Sequence, residues 1–464
     1  MTYQIETHIA KRLQDFFSQF DFIDKVEVFG SRARHDCSTK SDIDLCIYSL
    51  EMSAKQFTKL KIVLDELPIL YKVDIVHFEE SNDALKENIL RDGKLFYTPM
   101  VKLIDICEPK QHKTIAKSSF ISDGKYLIYG ANGVIGRYNS YTHTIKTLLI
   151  TCRGATCGTL NISEPMSYIN GNAMALNNLS EKVDLNYLYY SLNERGFNDV
   201  ITGSAQPQIT KENLEKIKIY LPSLTKQKQI AKRLDKAKEL IELRQDSISK
   251  LDELSKSIFI DMFGDPVLNP MGWKINKLSE FGNCKNGLNF NSKINEYRIK
   301  CLGVGDFKNL TTVRDIESLQ TISIDKKPTK EFLLQNADII FVRSNGSKNL
   351  VGRCIEVYPN EKEVTFSGFC IRFRLSNDLI LVPYLLHVLK SNSIRKNMAG
   401  RGANIQNINQ QILLGLNIPL PPLNIQEKFS NIIQKIEQQK SLYQEQLKKL
   451  QENFDSLLSE SFSV

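Results

Sequence analysis

The chain has 464 residues, 42% of them hydrophobic, and a formal net charge of +8. That length and apolar content suit several buried cores, and no apolar run nears the roughly 20 residues needed to cross a bilayer, so no membrane partner is expected. The nine cysteines, an odd number without a Cys-x-x-Cys pair and with Cys152 and Cys157 closest together, read as reduced structural thiols rather than disulfides or zinc ligands. The opening Met1-Thr2-Tyr3-Gln4-Ile5-Glu6 lacks the basic-then-apolar layout of a secretory signal, and the expected location is cytoplasmic. In chain order, Lys25 to Phe29 predicts a first strand that turns at Gly30-Ser31. Ser41-Asp42-Ile43-Asp44-Leu45 lies on a second strand, and Tyr71 to His77 forms a third that carries Asp74. Alternation along a strand sets Asp42 and Asp44 on one face, about 7 Å apart. Joined by Asp74, they offer the oxygen ligands that one or two Mg²⁺ ions prefer. Such a metal pair activates an attacking oxygen and neutralises the pyrophosphate leaving a nucleoside triphosphate. Gly30 and Ser31 would meet the phosphates through backbone amides and a hydroxyl. The plainer reading is three exposed aspartates at strand ends.

Gly30-Ser31-Arg32-Ala33, then Ser41-Asp42-Ile43-Asp44-Leu45 and then Asp74, resembles the minimal nucleotidyltransferases of the polymerase-beta type, over about Gln4 to Tyr97. The resemblance implies that Asp42, Asp44 and Asp74 are catalytic metal ligands and that Gly30 and Ser31 bind the nucleotide. The implied cofactors are Mg²⁺ and a nucleoside triphosphate, ATP first. Some members of that family attach AMP to a partner protein and others have decayed into binding modules, so activity stays open. His35 departs from the pattern, standing where the family often has glycine.

From residue 99 the composition changes. Tyr129-Gly130-Ala131-Asn132-Gly133-Val134-Ile135-Gly136-Arg137 is a polar, glycine-rich stretch, but its glycines lack the GxGxxG dinucleotide spacing. Thr147 to Cys152 predicts a buried strand ending at Arg153-Gly154. Gly203-Ser204-Ala205-Gln206-Pro207-Gln208-Ile209-Thr210 leads to a short apolar strand that closes on Leu221-Pro222-Ser223-Leu224 and Gln227. A helix over Thr225 to Phe263 follows, its seam stepping by four and three through Ile230, Leu234, Ala237, Ile241, Arg244, Ile248, Leu251, Ser255, Ile258 and Met262. The same unit then recurs: Asp338 to Val342 ends at Arg343 before Ser344-Asn345-Gly346-Ser347-Lys348, and Gly400-Arg401-Gly402-Ala403-Asn404-Ile405-Gln406 precedes Asn407-Ile408. Leu420-Pro421-Pro422-Leu423 and Gln426 close it, and a second helix carries Ile425, Phe429, Ile432, Ile436, Gln439, Tyr443, Leu447, Leu450, Phe454 and Leu457 on its seam. The chain is an internal duplication.

A variable module, a Leu-Pro-x-Leu strand end, a glutamine just beyond and a long helix, all repeated, resembles the specificity subunit of type I restriction-modification systems over about Met100 to Val464. Met262-Phe263-Gly264-Asp265 at the junction fits as well. The implied architecture is multidomain α/β. It comprises a nucleotidyltransferase-like sheet with helices (1–98), two mixed α/β target recognition domains (99–223 and 264–422) and two long antiparallel coiled-coil helices (224–263 and 423–464). The resemblance implies that each module reads one half of a split double-stranded DNA site. It implies too that the helices set the gap and dock two methyltransferase subunits, and that a restriction and translocation subunit completes the assembly. Arginine beside glycine suits guanine or a phosphate, while asparagine and glutamine suit base edges. On that ground Arg137, Arg153, Gln206 and Gln208 in the first module, and Arg343, Asn345, Lys348, Arg401 and Gln406 in the second, are candidate DNA contacts.

Charge follows the same division. Residues 1–99 carry 13 Lys and Arg against 17 Asp and Glu, and the rest carries 48 against 36. The surplus that suits a phosphate backbone therefore lies in the duplicated part, unless it is only the solvated face of lysine-rich helices. Neither an Asn-Pro-Pro-Tyr nor an Asp-Pro-Pro-Tyr amination motif is present, so methyl transfer by the chain itself is not expected. Two functions compete: a noncatalytic DNA-specificity subunit, and a metal-dependent nucleotidyltransferase that passes AMP to a partner and carries a DNA-binding appendage.

Overall fold

The computed structural model describes residues 3–290, 297–308, 312–344, 350–398 and 407–463. They fall into two compact units, Met1–Glu242 with Lys448–Val464, and Leu243–Leu447. Each unit therefore contains a part of both long helices, Leu224–Phe263 and Leu423–Phe462, of 40 residues apiece. At 1.5 Å per residue each helix runs about 60 Å.

The first unit opens with a four-stranded sheet. Its strands are β1 (Lys25–Phe29), β2 (Ile43–Tyr48), β3 (Val73–His77) and β4 (Lys94–Tyr97), in the order β3-β2-β1-β4. β1 runs antiparallel to both neighbours, and β2 and β3 are parallel. Val26, Val28, Ile43, Leu45 and Ile47 are buried, as the pleat requires of a sheet with one covered face, and the helix Thr7–Phe17 covers them with Leu13, Phe16 and Phe17. The parallel pair needs a crossover, supplied by the helix Ala54–Asp65, which starts in a capping box between Ser53 and Gln56.

The next module of this unit is built on a sheet of Glu108–Gln111, Ala173–Asn177, Leu148–Thr151 and Leu160–Ile162. The helix Leu185–Arg195 packs its Leu188 and Leu192 on that core. The nucleotidyltransferase-like part meets this module at the start of the first long helix. Asp24, only 3% exposed, accepts the backbone N–H of Ser223 at 2.8 Å, and Glu51 accepts that of Thr225 at 2.9 Å. The first-turn amides of a helix have no partner within it, so these two carboxylates occupy orphan donors.

In the second unit a five-stranded sheet runs Gly282–Asn286, Cys370–Leu375, Asp338–Val342, Cys354–Val357, Thr312–Val313. The strand expected over Asp338 to Val342 is present with those limits and buried throughout. Its leading carboxylate pairs with Arg374 through two contacts of 2.7 Å.

The duplicated motif has a structural meaning that repeats inside each unit. Gln227 is fully buried. Its Nε2 donates to the carbonyls of Lys182 and Pro222 at 2.9 and 2.8 Å, and its Oε1 accepts the amide of Asp184 at 2.9 Å. Gln426 does the same with Leu379, Pro421 and Leu381 at 3.2, 2.9 and 2.8 Å. Beside them, the Tyr187 hydroxyl donates to the Tyr220 carbonyl at 2.7 Å, and that of Tyr384 to Pro419 at 2.8 Å.

The seam of the first helix keeps its expected register as far as Ser255, after which Phe259 and Phe263, both 3% exposed, take the buried positions rather than Ile258 and Met262. Ile230 and Leu234 are buried in the first unit, and in the second Ser255 is buried while Arg244 lies over the Tyr443 ring at 4.2 Å. The second helix is corrected by one residue. Ile433, 6% exposed, takes the seam rather than Ile432 at 37%, and the polar step falls on Lys440, paired with Asp252 at 2.5 Å, rather than on Gln439. Apolar residues at adjacent positions leave a helical pattern free to start on either, and packing around the fully buried Phe429 selects Ile433 and Ile436.

Candidate functional site

In the N-terminal sheet, the parallel register sets Asp44 directly opposite Asp74. Asp42 stands one residue ahead of the strand rather than on it. Gly30 follows β1 at φ +71°, and a Cβ there would meet the Asp44 carboxylate at 2.6 Å, so glycine is demanded by both torsion and space. Burial, then the charges of Asp74 and Asp42, push the Asp44 carboxyl above the usual range. A carboxylate set against a glycine turn, with two further acidic side chains close enough to raise its pKa, has the chemistry of a cation and phosphate site.

Sequence reasoning missed two residues here. Lys72 places its ammonium 2.6 Å from Asp74 and 3.9 Å from Asp42, and the acidic partners raise its pKa. Among the described residues no three His, Cys, Asp or Glu side chains are grouped to hold a metal ion. Of the expected ligands, Asp44 and Asp74 are cross-strand neighbours and Asp42 lies one residue ahead of the strand, and carboxylate oxygens are the donors a hard cation takes. The other is Arg32, a buried arginine whose guanidinium donates to the carbonyls of Ser41 (2.7 Å), Asp42 (3.1 Å) and Gln4 (2.8 Å) and lies over the Tyr71 ring at 4.3 Å. It fixes the backbone that presents Asp42. A lone arginine in a Gly-Ser-Arg-Ala turn gives no hint of burial. His35 sits at φ 65°, the left-handed region, which explains why glycine suits that position in related turns.

In the first duplicated module, Arg153 and Gln208 come together. They form an antiparallel bridge, and Gly154 donates to the Pro207 carbonyl at 3.0 Å. With Lys110 and Lys211, and with Glu108 and Glu212 beside them, they line a cleft of about 470 Å³, and neither lysine was singled out by sequence. Gln206 is exposed on the same loop. Arg137, also exposed, lies on the separate strand Gly133–Tyr138 and donates to the Gly124 carbonyl at 2.9 Å.

The second module repeats this crossing, with Ser344 bridging Asn407. Hydrogen bonds set the equivalence. Gly158 donates to Thr151 and Ile209 to Cys152; correspondingly, Gly352 donates to Val342 and Ile408 to Arg343. Arg343 therefore matches Cys152, and Arg153 matches Ser344, one position away from the setting the sequence suggests. Successive strand residues face opposite ways, so the half-buried Arg343 turns inward to the Gly368 carbonyl at 3.4 Å while Arg153 is exposed. Asn345, Lys348, Arg401 and Gln406 lie outside the described residues.

The chain thus holds a twice-built α/β module, each copy carrying the same polar crossing and locked to a long helix by a buried glutamine. Residues 98–253 and 270–452 match the type I restriction modification DNA specificity domain, and the chain belongs to that family. Residues 11–100 match the polymerase beta, nucleotidyltransferase family. The StySPI specificity subunit of Salmonella potsdam is 25% identical over 371 residues, covering 76% of this chain and 74% of that protein. The MjaVIII specificity subunit of Methanocaldococcus jannaschii is 24% identical, covering 67% and 77%. The type I restriction-modification S subunit of M. genitalium shares the fold with a TM-score of 0.50 at 17% identity, covering 78% of this chain and 95% of its own. No helix among the described residues is long and apolar enough to cross a membrane.

Proposed function

We propose that this specificity subunit reads a split double-stranded DNA site, one half with each duplicated module. In this reading it presents the site to two methyltransferase subunits and to a restriction and translocation subunit. The observation that supports it is the crossing built twice, Arg153 against Gln208 and Ser344 against Asn407, with exposed polar groups at a cleft flanked by Lys110 and Lys211. Arg153, Gln206 and Gln208 contact the first half-site, with Arg137 on a neighbouring strand. Arg343, Asn345, Lys348, Arg401 and Gln406 serve the second. Boundaries at residues 98, 223, 263 and 422 divide the chain accordingly. Methylome sequencing of cells carrying this chain and its methyltransferase tests the reading. Two short defined halves around a fixed gap are expected, and Arg153→Ala should relax one half alone. A chain that yields no split motif is not a specificity subunit in this sense.

A second activity is favoured by the facing pair Asp44 and Asp74 beside Gly30. In this reading Asp42, Asp44 and Asp74 hold Mg²⁺ with ATP, and Gly30 and Ser31 receive the phosphates. The bound ion supplies charge neutralisation for a departing pyrophosphate. Arg32 keeps Asp42 in place, and Lys72 yields its position. Calorimetry with Mg²⁺ and each of ATP, GTP, CTP and UTP should detect binding that Asp44→Asn abolishes. Absence of heat with all four would make the site vestigial.

A further inference from the structure

At the polar crossing, each module presents one further side chain by the same backbone contact. Cys152 donates its amide to the carbonyl of Asn172 at 3.1 Å, and the equivalent Arg343 donates to Phe369 at 2.8 Å. The strands that follow agree, since Ala173 pairs with Thr151 as Cys370 pairs with Val342. Asn172 and Phe369 are therefore the same position in the two copies, and they differ in chemistry. Asn172 is exposed and offers both an amide donor and a carbonyl acceptor. Phe369 is 62% exposed, a large apolar ring held out beside Arg343 and Ser344. Its backbone is pinned: the carbonyl accepts the amides of Arg343 and Ser344 at 2.8 and 3.4 Å, and the amide donates to the Ser367 hydroxyl at 3.3 Å. A ring fixed in water on a polar loop gains no core packing, and its exposure is relieved only by an apolar surface brought to it.

We infer that Asn172 and Phe369 are matched base-reading residues, Asn172 reading an adenine edge in one half-site and Phe369 a thymine methyl in the other. An asparagine amide fits the adjacent donor and acceptor of adenine in the major groove, and an aromatic or aliphatic surface fits the methyl that distinguishes thymine. The inference rests on the reading of the modules as DNA-recognising.

Methylome sequencing of the full chain with its methyltransferase partner tests it, comparing wild type with Phe369→Ala, Phe369→Leu and Asn172→Ala. Phe369→Ala should lower preference for one A·T pair roughly tenfold, leaving the other half and the gap unchanged. Phe369→Leu, which keeps an apolar surface, should retain that pair and guards against loss of folding in the alanine variant. Asn172→Ala should relax a position in the opposite half. A split wild-type motif that survives Phe369→Ala intact overturns the inference and leaves the proposed function standing. So does relaxation of the same half by Phe369→Ala and Asn172→Ala. A wild type with no split motif overturns both.

Discussion

His387 shows how much a single buried ring can carry. Its Nδ1–H donates to the Pro383 carbonyl at 2.7 Å, leaving Nε2 to accept the Ser255 hydroxyl at 2.8 Å, and it stacks on Phe259 and meets Phe429 edge to face. Both bonds suit the neutral ring, and burial lowers its pKa from 6.5 to about 4. The folded value lies below the unfolded one, so the contribution is complete above pH 6.5 and is lost as pH falls toward 4. It amounts to about 3 kcal/mol. Denaturant unfolding from pH 7 to 4 should show that decline, and His387→Phe should flatten it. The glutamine clamps act at the same scale. Gln227→Leu leaves the part-buried amide of Asp184 without its acceptor and should cost about 1–3 kcal/mol, as should Gln426→Leu through Leu381. Thermal melts of the two variants check this; melts unshifted from wild type would mean that water replaces the side chain. Of these residues, the repeated glutamines were legible as a motif, but their role was not, because no spacing announces which carbonyls a side chain will meet.

At the scale of elements, the paired helices were the most legible part. A sustained four-three apolar pattern over nearly forty residues leaves helix as the only periodic solution, and both helices appear within a residue or two of the expected limits. The polar steps at Arg244 and Ser255, of the kind that fixes register and partner in a seam, each meet a named partner, Tyr443 and His387. Reading the helices as a spacer predicts that one heptad inserted into each will change the gap tolerated between half-sites in methylome data. An unchanged gap would sink that idea. The capping of the first helix by Asp24 and Glu51 was not foreseeable, since the carboxylates lie 199 and 174 residues from the amides they accept. Asp24→Ala removes the acceptor of a buried amide and should cost about 1–3 kcal/mol, with Asp24→Asn, which keeps an acceptor oxygen, nearer to wild type in a thermal melt. Equal losses in the two variants would point to the charge rather than the hydrogen bond.

For the molecule as a whole, charge is divided between its parts. Residues 1–99 are acidic on balance and the duplicated remainder basic, so DNA affinity should fall steeply with salt while the N-terminal sites contribute little to it. Asp42→Ala with Asp44→Ala is expected to leave the methylated motif unaltered; a changed motif would tie the N-terminal domain to recognition. The sequence by itself determined the duplication and the helices and singled out Gly30, Asp42, Asp44 and Asp74 as candidates, because repeats, periodicity and short motifs are local properties of the chain. Only the tertiary structure decided that Lys72 stands among the aspartates, that Arg343 matches Cys152 rather than Arg153, and that Asn172 and Phe369 share one position. Register across a sheet and partners distant in sequence are set by packing and hydrogen bonding in three dimensions, and a shift of one residue, which composition does not record, reverses the face a side chain presents.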